Sequence, residues 1–115
     1  MERLMKQPPA GAPSPQDEMA DIRRVIDALD EELVALFARR QRQIERAAQV
    51  KPLLDIPARV PERIEEVLAR VGEAAKREGL SLELSSELWT RVIEWSIDYE
   101  ERLMGAGDLR TPFRQ

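Results

Sequence analysis

The sequence predicts an all-α fold: three helices, the first of them long, that complete their core by pairing with a second copy. Three observations carry this. Apolar residues recur at three- and four-residue spacing through three separate segments. Prolines fall between those segments, and no stretch of useful length alternates with the period of two that a strand needs. Finally, 115 residues make one domain, and three helices alone cover little of each other's apolar surface, so a homodimer is expected.

Each element has its own signal. Residues 1–16 contain Pro8, Pro9, Gly11, Pro13 and Pro15 and have little to bury, so they read as a disordered leader. From Asp17 onward Met19, Ile22, Val25, Ile26, Leu29, Leu33, Leu36 and Phe37 form one stripe, which continues through Ile44, Ala47 and Ala48 towards Pro52. This is the first helix. Pro61 followed by Glu62 suits the first turn of a second helix, whose face is Ile64, Val67, Leu68 and Val71 and whose stop is Gly79. After a loop over residues 80–84, Ser85 or Ser86 is expected to cap the third helix. Leu88, Trp89, Val92, Ile93, Ile97 and Leu103 give that helix its apolar face, and Gly105 and Gly107 are expected to end it before a loose tail over residues 105–115. The helical domain is thus residues 17–104.

Composition narrows the function. A net charge of −4 argues against a nucleic-acid partner, which normally requires clustered Lys and Arg in excess. The chain has no Cys and no His, which removes thiolate nucleophiles, the commonest general base and the usual zinc ligands. Arg3 and Lys6 precede no apolar stretch, so no secretory signal is read, and no segment is apolar enough to span a membrane. A cytoplasmic location is the expectation.

The informative anomaly is charge on apolar faces. Arg40, Ile44, Ala47 and Lys51 follow the i, i+4, i+7, i+11 rule and share one stripe, so the two cations can face one anion. Arg23 lies seventeen residues before Arg40, about 25 Å away at about 1.5 Å per residue, so it would serve a site in another subunit. Ser96 and Glu100 sit on the apolar stripe of the third helix, where a carboxylate needs a partner or a proton. Plainer readings exist for each. Glu100 can pair with an arginine in the core or at a dimer seam. Arg24, Arg39, Arg42 and Arg46 can be solvated, Asp27 and Asp30 can pair with Arg23 and Arg24 along the helix, and Trp89 and Trp95 can fill a core or an interface. Convergence favours a site: Arg23, Arg40, Lys51, Arg63, Ser96 and Glu100 all fall where packing would turn them inward.

In order and spacing these residues resemble the all-helical chorismate mutase family, which includes the isochorismate-pyruvate lyases. The resemblance covers roughly residues 19–104. It rests on I-R-R-V-I-D-A-L-D at 22–30, A-R-R ending at Arg40, Lys51 eleven residues later, P-E-R ending at Arg63, and S-I-D-Y-E from Ser96 to Glu100. It implies an intertwined helical homodimer whose long first helices each contribute to both active sites. Arg40, Lys51, Arg63, Ser96 and Glu100 would come from one subunit and Arg23 from its partner.

The implied reaction is the pericyclic conversion of chorismate to prephenate, a step of aromatic amino acid biosynthesis. It needs no nucleophile, general base, metal or cofactor. The protein must hold a dianion in the reactive chair and stabilise negative charge on the ether oxygen. By resemblance Arg23 and Arg40 bind the two carboxylates, Arg63 orients them or the ring, Lys51 donates to the ether oxygen and to a nearby carboxylate, and Ser96 makes a supporting polar contact. Many relatives carry Gln where this chain has Glu100, so Glu100 can donate to the ether oxygen only when protonated. An apolar setting and two substrate carboxylates favour that form.

Two positions depart from the mutase pattern. Ile64 stands where an acid after the helix-2 arginine meets the ring hydroxyl, and Val60 replaces an acid three residues before that arginine. Glu65 or a backbone carbonyl is left to supply the contact. The lyases that make salicylate and pyruvate from isochorismate also carry an apolar residue after P-E-R, although they keep Gln at the Glu100 position and have a shorter loop. A mutase is the preferred reading, a lyase the second, and a non-catalytic helical dimer that binds a shikimate-pathway metabolite the third.

Overall fold

A computed structural model describes residues 11, 12 and 14–110, the last five of these as backbone only. Most of the expected leader, and the tail beyond residue 110, lie outside the described residues. Three α-helices follow one another: α1 (Pro15–Val50), α2 (Pro61–Glu78) and α3 (Leu82–Arg110), with a 3-10 turn, Lys51–Leu54, after α1. Among the described residues no helix is long and apolar enough to cross a membrane.

The helix ends correct the sequence reading where local hydrogen bonds outweigh residue type. Pro15 and Gln16, assigned to the leader, are the first residues of α1. Ser14 caps it: the Asp17 backbone N–H donates to Ser14 Oγ at 3.1 Å, while the Ser14 N–H donates to the Asp17 carboxylate at 3.2 Å. Proline at the first helical position lacks only an N–H that would have no partner there. Lys51 leaves the α-helix and opens the 3-10 turn. That turn closes at Asp55, whose φ of 56° is a left-handed conformation that Asp tolerates better than most residues. The cap of α3 is Ser81, not Ser85 or Ser86: its hydroxyl accepts the Leu84 N–H at 3.1 Å. Ser85 is instead buried, donating to the Leu82 carbonyl. Nor do Gly105 and Gly107 stop α3, which runs to Arg110, because glycine in a helix costs only about 1 kcal/mol and removes no hydrogen bond. Gly79 does end α2 as expected, at φ 72°, with the Leu80 N–H returning to the Ala75 carbonyl at 2.8 Å.

The chain divides into two units, Met1–Arg39 and Arg40–Gln115. In the first, described as helix from Pro15 on, the stripe of Ile22, Leu29, Leu33 and Leu36 is about half exposed. In the second, α2 packs on α3 around Ala58, Ile93 and Ile97, with Ile64, Val67, Leu68, Trp89 and Met104 against them.

Candidate active site

The unit Arg40–Gln115 contains a cavity of about 330 Å³, and the residues that reach it follow from helical spacing. Arg40, Gln43, Ile44 and Ala47 come from one stripe of α1, and Lys51 from the turn that follows. Val60, Arg63 and Ile64 come from the start of α2, and Ser96 and Glu100, one turn apart, from α3. Cations thus line part of a wall that also holds Gln43, Ser96 and Glu100 and is otherwise aliphatic, which suits an anion carrying an apolar ring.

The polar groups hold one another in place. The Lys51 ammonium donates to Glu100 Oε1 at 2.6 Å and to the Ala58 carbonyl at 2.9 Å. Two of its three N–H groups are thereby used, and the third remains for a ligand. Glu100 is only 4% exposed, and an ion pair this buried is tolerated because both charges are hydrogen-bonded. Arg40 Nη1 donates to Ser96 Oγ at 2.8 Å, and that hydroxyl in turn donates to the Val92 carbonyl at 2.7 Å. Burial first, and then the like charge of Arg63, push the Arg40 guanidinium below its ordinary pKa, while Glu100 opposes them. The negative charge of an anion entering beside Arg40 opposes both effects.

Five of the six residues singled out from sequence meet at this cavity: Arg40, Lys51, Arg63, Ser96 and Glu100. Arg63 is the least enclosed and forms an ion pair along α2 with Glu66. Arg23 is exposed on α1 and belongs to the other unit. The partner of Glu100 is Lys51 rather than an arginine. Arg24 pairs with Asp21 on the turn before it rather than with Asp27. Trp95 is half exposed and packs its ring on Tyr99, with centroids 4.8 Å apart.

Ile64 and Val60 both line the cavity, so the two positions singled out in the sequence present apolar side chains to its wall. Glu65 is exposed and outside the lining, and the Ala58 carbonyl already receives Lys51. Gln43, by contrast, lines the cavity and was missed. Its spacing of three from Arg40 was the available signal. The role of Ala58 left no such signal, because a backbone carbonyl carries no residue type.

Comparison with known proteins agrees with this geometry. Residues 22–101 match the family described as chorismate mutase type II. The chain is 30% identical over 86 residues to the T-protein of Haemophilus influenzae, a match covering 75% of this chain and 23% of that protein, so it spans less than a quarter of that relative's length. It is 27% identical over 78 residues to the chorismate mutase of Methanocaldococcus jannaschii, covering 68% of this chain and 79% of that protein. Because the matched segment runs through most of the chain and includes every polar residue of the cavity wall, this protein belongs to the chorismate mutase type II family.

Proposed function

We propose that the chain is a chorismate mutase that converts chorismate to prephenate in a site shared between two subunits. The observation that carries this reading is the cavity in which Arg40, Lys51 and Arg63 face an aliphatic wall, with Ser96 and buried Glu100 fixing the first two. Family membership supports it.

The chemistry needs restraint and charge stabilisation. The Arg40 guanidinium, with one N–H on Ser96, keeps donors for one substrate carboxylate. Arg23 of a second copy binds the other carboxylate, and Arg63 orients the dianion at the cavity's open side. The free N–H of Lys51 points its charge at the ether oxygen as the C–O bond breaks and the C–C bond forms. Glu100 can donate to the same oxygen only in its neutral form, in which its contact with Lys51 is a hydrogen bond rather than an ion pair. Gln43 is the neutral polar group of the lining suited to the ring hydroxyl that Ile64 and Val60 cannot bind.

A homodimer is part of the proposal. Among the described residues the buried hydrophobics are only Ala48, Ala58, Ala75, Ile93 and Ile97, while Ile22, Leu29, Leu33 and Leu36 of α1 stay about half exposed. Fully burying each such side chain is worth about 2 kcal/mol. A second copy supplies that cover and brings its Arg23 to the cavity.

The apolar pair Ile64 and Val60 favours a second reading, cleavage of isochorismate to salicylate and pyruvate on the same scaffold. Supplying chorismate and isochorismate in parallel, with prephenate resolved from salicylate plus pyruvate, decides between them. Prephenate is the expected product. Salicylate as the dominant product would make the lyase reading correct, and turnover of neither would leave a metabolite-binding dimer.

A further inference from the structure

The segment between α1 and α2 supplies the Ala58 carbonyl that steers Lys51, yet no helix holds that segment in place. Two adjacent residues fasten it to α3. The Ala58 methyl is buried against Ile93 and Ile97. The next side chain, Arg59, then meets Glu94 on α3 with both ends of its fork: Nη2 donates to Oε1 at 2.7 Å and Nη1 to Oε2 at 3.1 Å. Asp98 and Glu101, further along α3, add to the field that favours the Arg59 cation. Both partners are nearly half exposed, so nothing in the core requires them.

From this geometry we infer that Arg59 is a positioning residue: its two-pronged pairing with Glu94 fixes the Ala58 carbonyl, and through it the direction in which the Lys51 ammonium faces the cavity. The inference rests on the proposed mutase reading for its kinetic consequence and on the geometry alone for its structural one. A fork that makes two parallel bonds fixes orientation as well as distance, which a single-point lysine contact does not. The contact lies one residue from the carbonyl, so its loss acts on the direction of Lys51 rather than on substrate binding by Arg40.

The test compares wild type with Arg59→Gln, Glu94→Gln, the double variant and Arg59→Lys. Removing an exposed pair strands no buried polar group, so all should fold. Two quantities are read in each: amide hydrogen exchange over residues 55–60 in the free protein, and kcat against KM for chorismate.

Each single Gln variant should exchange faster in that segment and lose about tenfold in kcat, with KM changed less, since a displaced donor acts mainly in the transition state. The double variant should be no worse than either single one, as for residues acting through one contact. Arg59→Lys should recover only part. Wild-type exchange in Arg59→Gln would overturn the inference, as would lost turnover with unchanged exchange, which would make Arg59 a direct ligand contact. If the wild type does not turn chorismate over, the mutase reading fails by itself and the exchange comparison still decides whether Arg59 holds the segment.

Discussion

Lys51 and Glu100 define the site at the scale of single residues, because the buried Glu100 carboxylate is satisfied by the Lys51 ammonium, which also donates to the Ala58 carbonyl. Substituting Lys51 by Ala leaves a buried carboxylate unpaired, at a cost of about 3 kcal/mol, so lost activity there is mixed with lost stability. Arg40 gives a cleaner experiment. Its removal leaves Ser96 Oγ still bonded to the Val92 carbonyl, and no buried group is orphaned. Glu100→Gln is cleaner still for the chemistry, since the amide keeps an acceptor for Lys51 and supplies a donor at any pH. If Glu100 acts as a hydrogen-bond donor to the substrate, Glu100→Gln retains the wild-type kcat or exceeds it. A kcat lost with the substitution removes the donor role. These residues were legible in the sequence because a charge on an apolar helical stripe is anomalous wherever it occurs. The way they pair was not. Whether Glu100 meets an arginine or Lys51 depends on helix packing, and the Ala58 carbonyl has no sequence signature.

The helices show the same division between pattern and contact. Their apolar periodicity placed all three, whereas their ends depended on which hydroxyl happened to face a free N–H: Ser14 and Ser81 rather than Ser85 or Ser86. One tie between elements has a consequence for pH. Tyr99 on α3 donates to the Glu45 carboxylate of α1 at 2.7 Å. That bond first, and then one from Gln41, hold the Glu45 carboxyl below its ordinary pKa. A carboxyl depressed in the folded state contributes stability above its unfolded pKa and loses it as pH falls through the folded value. Tyr99→Phe should therefore lower Tm at pH 7, and the gap from wild type should shrink as pH drops below about 4, near the ordinary glutamate value. Melting curves at pH 7 and pH 3 check this. An equal gap at both would mean that the tyrosine contributes through packing rather than through its hydroxyl.

For the whole molecule, the governing fact is an apolar stripe on α1 that its own unit leaves half exposed. The sequence led to the expectation of a partner, since three helices of this length cover little of one another, and the homodimer proposed above gives that stripe its cover. In the proposed homodimer Arg23, seventeen residues before Arg40, belongs to the site of the second copy. A shared site makes a prediction that a self-contained one does not. Arg23→Ala and Arg40→Ala each damage both sites of their own homodimer. A heterodimer of the two keeps one intact site, because the good Arg40 of one chain meets the good Arg23 of the other.

The decisive measurement is chorismate mutase activity after the two variants are refolded together, compared with each refolded alone. The account predicts two nearly inactive homodimers and a mixture that recovers about a quarter of the wild-type rate, since random pairing makes half the dimers mixed with one good site in each. A mixture no more active than its separate components would contradict it.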